Sequence, residues 1–200
     1  MEVEHDLVEA YFETDGFLIR QAQNIESGKF RKKQESLPTL AIFNPLVESN
    51  STTSSFRLYT SDLRKIRYGL VCLLGWGNSG FSNGMLNNDS MLIKFYKKEL
   101  KDKRIETAFN CTPKNEQGGM GSLLKLLIVP ALPRSETKIG EIFTLLQNIQ
   151  VDGVLTLRSI LENLLKQTDS GVSILSKPVF QVLNLLKAYE LAKEPQLEMF

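Results

Sequence analysis

The segment 123–165, LLKLLIVPALPRSETKIGEIFTLLQNIQVDGVLTLRSILENLL, reads as strand, helix, strand, helix without a break. LLKLLIVPAL (123–132) and VDGVLTL (151–157) are short apolar runs of buried-strand type. Between and after them, apolar residues recur with the period of an amphipathic helix. Ile139, Ile142, Phe143 and Leu146 form one stripe, starting after Ser135; Leu157, Ile160, Leu161, Leu164 and Leu165 form the next. This β-α-β-α alternation marks an α/β domain.

Working back from that segment, Gly69–Leu74 is the next most apolar run and is expected to be a central strand. A short polar turn or helix around Ser61–Lys65 leads into it. GNSGFSNGMLNND (77–89) reads as a loop, with Asp89 or Ser90 capping a helix over MLIKFYKKEL (91–100). The polar stretch that follows contains Gly118, Gly119 and Gly121 and reads as a linker. Nearer the start, Val3, Leu7, Val8, Tyr11 and Phe12 predict a helix that stops at Asp15-Gly16. Strands over GFLIRQAQ (16–23) and LPTLAIF (37–43) follow, joined by a basic hairpin loop; Asn44-Pro45 ends the second. VESNSTTSS (47–55) is expected to be a flexible surface loop. At the far end, Pro178 opens a helix whose inner face is expected to hold Val179, Val182, Leu183 and Leu186. The expectation is one α/β domain over 1–200: a mixed central sheet flanked by helices, a core over about 1–167, and a C-terminal helix over about 176–191 packed on it.

The composition is consistent with one domain: 200 residues, 42% apolar and 24% charged, can bury a sizeable core. A net charge of +1 provides no global field to recruit nucleic acid or an anionic membrane, so such binding needs a local patch. Two cysteines, Cys72 and Cys111, do not make a disulfide scaffold or a zinc module. MEVEHDLVEAYFE (1–13) is acidic and amphipathic, unlike a signal or transit peptide. A reduced, cytoplasmic setting without a membrane span is therefore expected, and the Asn-x-Ser/Thr triplets at Asn50, Asn88 and Asn110 are read as chance matches.

Gly75-Trp76-Gly77-Asn78-Ser79-Gly80 spells G-x-G-x-x-G directly after a strand, the place of a dinucleotide-binding turn. The third glycine of such a turn opens a helix, whereas Phe81-Ser82-Asn83-Gly84 follows here. The acid about 20 residues on is Glu99, inside a lysine-rich helix. A plain glycine loop is the better reading, with Trp76 a core residue closing the strand end. His5, the one histidine, is placed on the polar face of the first helix. Two clusters set basic residues beside aromatics and are candidate nucleic-acid contacts: Lys29, Arg31, Lys32 and Lys33 around Phe30, and Lys94, Lys97 and Lys98 around Phe95 and Tyr96, with Lys101, Lys103 and Arg104. Glu99 and Asp102 offset part of the second.

Three local phrases bear a family likeness. VEAYFETDGF (8–17) sets Glu9 on the first helix, LPTLAIFNP (37–45) forms a strand, and Val71-Cys72-Leu73-Leu74-Gly75-Trp76 ends the central strand in a Gly-Trp pair. Together with the order helix, strand, strand, strand, helix, strand, helix, they resemble the restriction-endonuclease-like, or PD-(D/E)XK, superfamily. LLIVPALP (126–133), VDGVLTLRSILENLL (151–165) and VFQVLNLLKAYEL (179–191) look like a bacterial branch of it. The resemblance implies a mixed-sheet nuclease fold in which an aspartate and a glutamate bind Mg²⁺ and a lysine activates water. At the matching positions this chain has Pro38, Cys72 and Leu74, which cannot serve a hard cation or orient water. The expectation is a binding or scaffolding protein without a cofactor, whose partner is a protein or nucleic acid. One alternative is a divergent Mg²⁺-dependent nuclease using Glu9, Asp62 and Lys65 on DNA or RNA. Another is a nucleotide-binding domain using Gly75–Gly80.

Overall fold

The computed structural model describes residues 2–22, 37–51, 55–110, 123–168 and 177–192. Helix α1 (Glu2–Thr14) stops where expected: Gly16 adopts φ +86, and Phe17 N–H donates back to the Phe12 carbonyl at 3.0 Å. That left-handed turn closes the helix and costs glycine little. The chain turns directly into β1 (Leu18–Gln21) and later β2 (Thr39–Phe43). Next come α2 (Thr60–Leu63), β3 (Tyr68–Leu73), α3 (Asp89–Lys101) and α4 (Arg104–Phe109). The remainder is β4 (Leu124–Val129), α5 (Glu136–Asn148), β5 (Gly153–Thr156), α6 (Leu157–Gln167) and α7 (Pro178–Ala188).

The five strands form one mixed sheet in sequence order, antiparallel from β1 to β3 and parallel from β3 to β5. β3 is central, as its apolar run requires. Alternation along the strands divides the core in two. Val71, Leu73, Leu126, Ile128 and Leu155 face α1, α2, α6 and α7. Leu70, Cys72, Leu74, Leu127, Val129 and Val154 face α3, α4 and α5. Each fully buried leucine or isoleucine in these layers is worth about 1.5–3 kcal/mol.

Several expectations are corrected. α4 was hidden in a polar run, where Ile105, Ala108 and Phe109 form the buried stripe. Asn88, rather than Asp89 or Ser90, caps α3 by accepting the Met91 N–H. Asp89 instead accepts the Arg134 and Ser135 amides at the start of α5, which holds its carboxyl below the usual range. The described part of the Ser/Thr-rich loop is pinned: Asn50 Oδ1 accepts the Arg67 and Tyr68 amides, and its amide donates to the Tyr68 carbonyl. Residues 56–58 bridge Val154 along the outer edge of β5, covering an otherwise open edge. On α7 the buried residues are Val179, Phe180 and Leu183, whereas Val182 is 55% exposed and Leu186 37%. α7 packs on α1 and α6 rather than on the sheet, so its contact stripe is narrower and rotated. Lys177 pairs with Glu13 where α7 meets α1.

Candidate functional site

The loop that leaves the central strand joins the two halves of the molecule. Leu74 and Gly75 are buried, and the chain then emerges. Asn78 folds back beneath it: its Oδ1 accepts the Gly75 N–H at 2.8 Å and its Nδ2 donates to the Leu73 carbonyl at 2.9 Å. From α1, Glu4 accepts the Trp76 N–H at 2.7 Å and the Gly77 N–H at 3.0 Å. A Cβ on Gly75 would stand 2.5 Å from the Glu4 carboxylate, so a larger residue here would push that carboxylate off the two amides. From α4, Arg104 donates to the Asn78 carbonyl at 2.8 Å and pairs with the buried Glu99 at 3.3 Å.

This geometry overturns the dinucleotide reading. The two amides a phosphate would need are already taken by Glu4, an internal anion. Gly80 does not open a helix; a 3₁₀ turn at Asn83–Met85 follows, and the sheet is mixed rather than doubly wound. Trp76 is not the core residue expected. It is 39% exposed, with its ring edge-to-face on buried Phe81 at 4.6 Å. Leu74 and Phe81 fill the strand end, and Glu4 holds the Trp76 backbone outward. Behind Phe81 the aromatic contacts continue through Phe95 to Tyr96, whose hydroxyl donates to the Ala131 carbonyl at 2.6 Å. Burial pushes the Tyr96 phenol far up.

The positions where the resemblance implies metal chemistry lie at the end of β2 and β3. Cys72 pairs with Thr39, and the Leu73 N–H donates to the Pro38 carbonyl at 3.0 Å. Opposed residues of an antiparallel pair share a face. Pro38 therefore shares the face of Leu73, and the residue beside Cys72 is Thr39. Cys72 and Leu74 are fully buried, in one apolar cluster with Leu37.

The buried carboxylates among the described residues are Asp62 and Glu99. Asp62 caps α2 by accepting the Tyr59 N–H and lies 3.6 Å from Lys65 Nζ. Glu9 is not brought to them: it faces His5 at 3.6 Å, and His5, Asp6 and Glu9 have ligand atoms within 4.8 Å of one another. His5 is half-buried rather than exposed.

Lys29, Arg31, Lys32 and Lys33 lie outside the described residues. Lys94, Lys97 and Lys98 are exposed on α3, and Lys97 pairs with Glu141 at 2.7 Å. Glu99 does not offset this surface, because it is turned inward to Arg104, which itself leaves the surface cluster. No described helix is long and apolar enough to cross a membrane. Comparison with family models, curated proteins and solved structures finds no significant match to this chain.

Proposed function

We propose that this chain is a non-catalytic binding or scaffolding protein on a restriction-endonuclease-like scaffold, two of whose three metal-site positions, Cys72 and Leu74, have become core. The observation that carries the reading is the burial of Cys72 and Leu74 against Leu37 in one apolar cluster on the central strand. A carboxylate at Cys72 and an ammonium at Leu74 would be charges buried in hydrocarbon, which is strongly disfavoured without partners. The order α1, β1, β2, β3, α3, β4, α5, with the short helices α2 and α4 interposed before β3 and β4, supports the scaffold half of the reading.

The test is incubation of the purified protein with single- and double-stranded DNA and RNA in the presence of Mg²⁺ or Mn²⁺. The reading predicts no cleavage above a protein-free control. Cleavage that disappears in Asp62→Ala or Glu9→Ala would overturn it in favour of a divergent Mg²⁺-dependent nuclease. The proximity of Asp62 to Lys65 and the grouping of Glu9 with His5 and Asp6 favour that alternative, but Glu9 is not brought to Asp62, and one Asp62 oxygen is already committed to the Tyr59 amide.

A further inference from the structure

We propose that Trp76 and the lysine row of α3 form a binding face for single-stranded nucleic acid. This names a partner for the binding protein proposed above and rests on that reading. The exposed indole is fixed from behind by Phe81, which packs in turn on Phe95 of α3. A ring held in place in this way can stack on a base without first being ordered. Lys98 belongs to the same surface, since its Nζ lies 3.8 Å from the Cβ position of Gly80 in the Trp76 loop. Lys94 and Lys101 stand one turn either side of Lys98 on one helix face, displaced about 6 Å and about 4.5 Å along the axis.

The charge of this row survives at the surface. Lys94, Lys98 and Lys101 are exposed and form no ion pair among the described residues. The acids around them are mostly engaged: Glu99 by Arg104, Glu141 by Lys97, and Asp89 by two amides and Lys138. Asp102, at the end of α3, is the exposed carboxylate that remains in the row. An aromatic platform beside a short cationic track is the arrangement that takes single strands, because every base offers a face to stack and every nucleotide a phosphate. A duplex hides its base faces, and the core of a protein interface is depleted of lysine.

Trp76 is the only tryptophan of the chain, so its fluorescence reports this face alone. The probe is an oligothymidylate of about 10 nucleotides, within the usual single-strand site sizes. Titration is expected to quench the emission saturably, with affinity falling with salt at a log–log slope of about −2 for three phosphates. Lys94→Ala and Lys98→Ala are each expected to weaken binding roughly fivefold, the effect of losing one well-placed phosphate contact. The double variant Lys97→Ala/Glu141→Ala, which removes both members of an ion pair and leaves the net charge of the face as it was, leaves affinity unchanged. Trp76→Phe keeps a ring on Phe81, and Trp76→Ala removes it. With a labelled oligonucleotide read by anisotropy, the alanine variant is expected to bind at least about fivefold more weakly than the phenylalanine variant. Absence of quenching at low salt, wild-type affinity in both Lys94→Ala and Lys98→Ala, or tighter binding of the matching duplex each overturns the proposal. Binding followed by cleavage of the oligonucleotide overturns the non-catalytic reading and leaves this face standing. Neither binding nor cleavage does the reverse.

Discussion

Glu4 on α1 accepts the amides of both Trp76 and Gly77, so the first turn of the chain and the loop leaving the central strand are held as one unit. Two hydrogen bonds to one carboxylate, on a partly exposed group, are worth about 1–2 kcal/mol together. Glu4→Ala is expected to lower stability by that amount and to shift Trp76 emission to the red as the loop loosens. Denaturant unfolding followed by fluorescence reads both. Unchanged emission would mean that Glu4 does not set the loop.

Gly75→Ala tests the same contact from the other side. Its Cβ would meet the Glu4 carboxylate at 2.5 Å and push it off the two amides, so a loss of up to about 1–2 kcal/mol, the worth of those hydrogen bonds, is expected. The loss should shrink when Glu4→Ala is combined with it, because the clash partner is gone.

Arg104 neutralises Glu99 under that loop, and Glu99 is 3% exposed. Arg104→Met is expected to cost about 3–5 kcal/mol, because it strands a buried carboxylate. Adding Glu99→Leu should recover much of the loss. If the double variant is no more stable than Arg104→Met, the pair is not the reason Arg104 matters.

Asp15, at the end of α1, has a buried Oδ2 without a hydrogen-bond partner, and burial raises its pKa from 3.8 to about 6, partly opposed by Arg64. The fold thus prefers the protonated form. Its cost to stability is fully present above about pH 6 and is relieved as pH falls towards 3.8. Because the group is partly exposed, the cost is about 1–2 kcal/mol rather than the full linkage value. Asp15→Asn is therefore expected to stabilise the protein by about that much at neutral pH and hardly at all near about pH 3, where the carboxyl is protonated in the folded and the unfolded chain alike. Thermal unfolding at the two pH values checks the sign.

On α7, Leu183 is buried and Leu185 is 57% exposed. Leu183→Ala is expected to cost about 2–4 kcal/mol and Leu185→Ala within about 0.5 kcal/mol. Equal losses would mean that α7 does not pack on its Leu183 face.

The elements were legible wherever one apolar pattern dominated. Gly69–Leu74 reads as a central strand because it is buried on both faces, and the β4-to-α6 stretch reads correctly because each stripe packs on the sheet. α7 misled because a helix packed on other helices buries a narrower face, and Val182 lies just outside it. α4 was missed because three apolar residues in a basic run are a weak signal. The Trp76 loop shows a different limit. Its glycines were rightly taken as a plain loop, yet the partners that shape it, Glu4, Asn78 and Arg104, come from across the chain. Their approach depends on strand register, which local spacing does not encode; the same register set Thr39, rather than Pro38, beside Cys72.

The central claim is that the scaffold no longer holds a catalytic metal, Cys72 and Leu74 having become core, and calorimetric titration of the purified protein with Mg²⁺ and Mn²⁺ tests it most directly. The expected result is no binding heat with either ion at millimolar concentration. Saturable heat that vanishes in Asp62→Ala would contradict the claim.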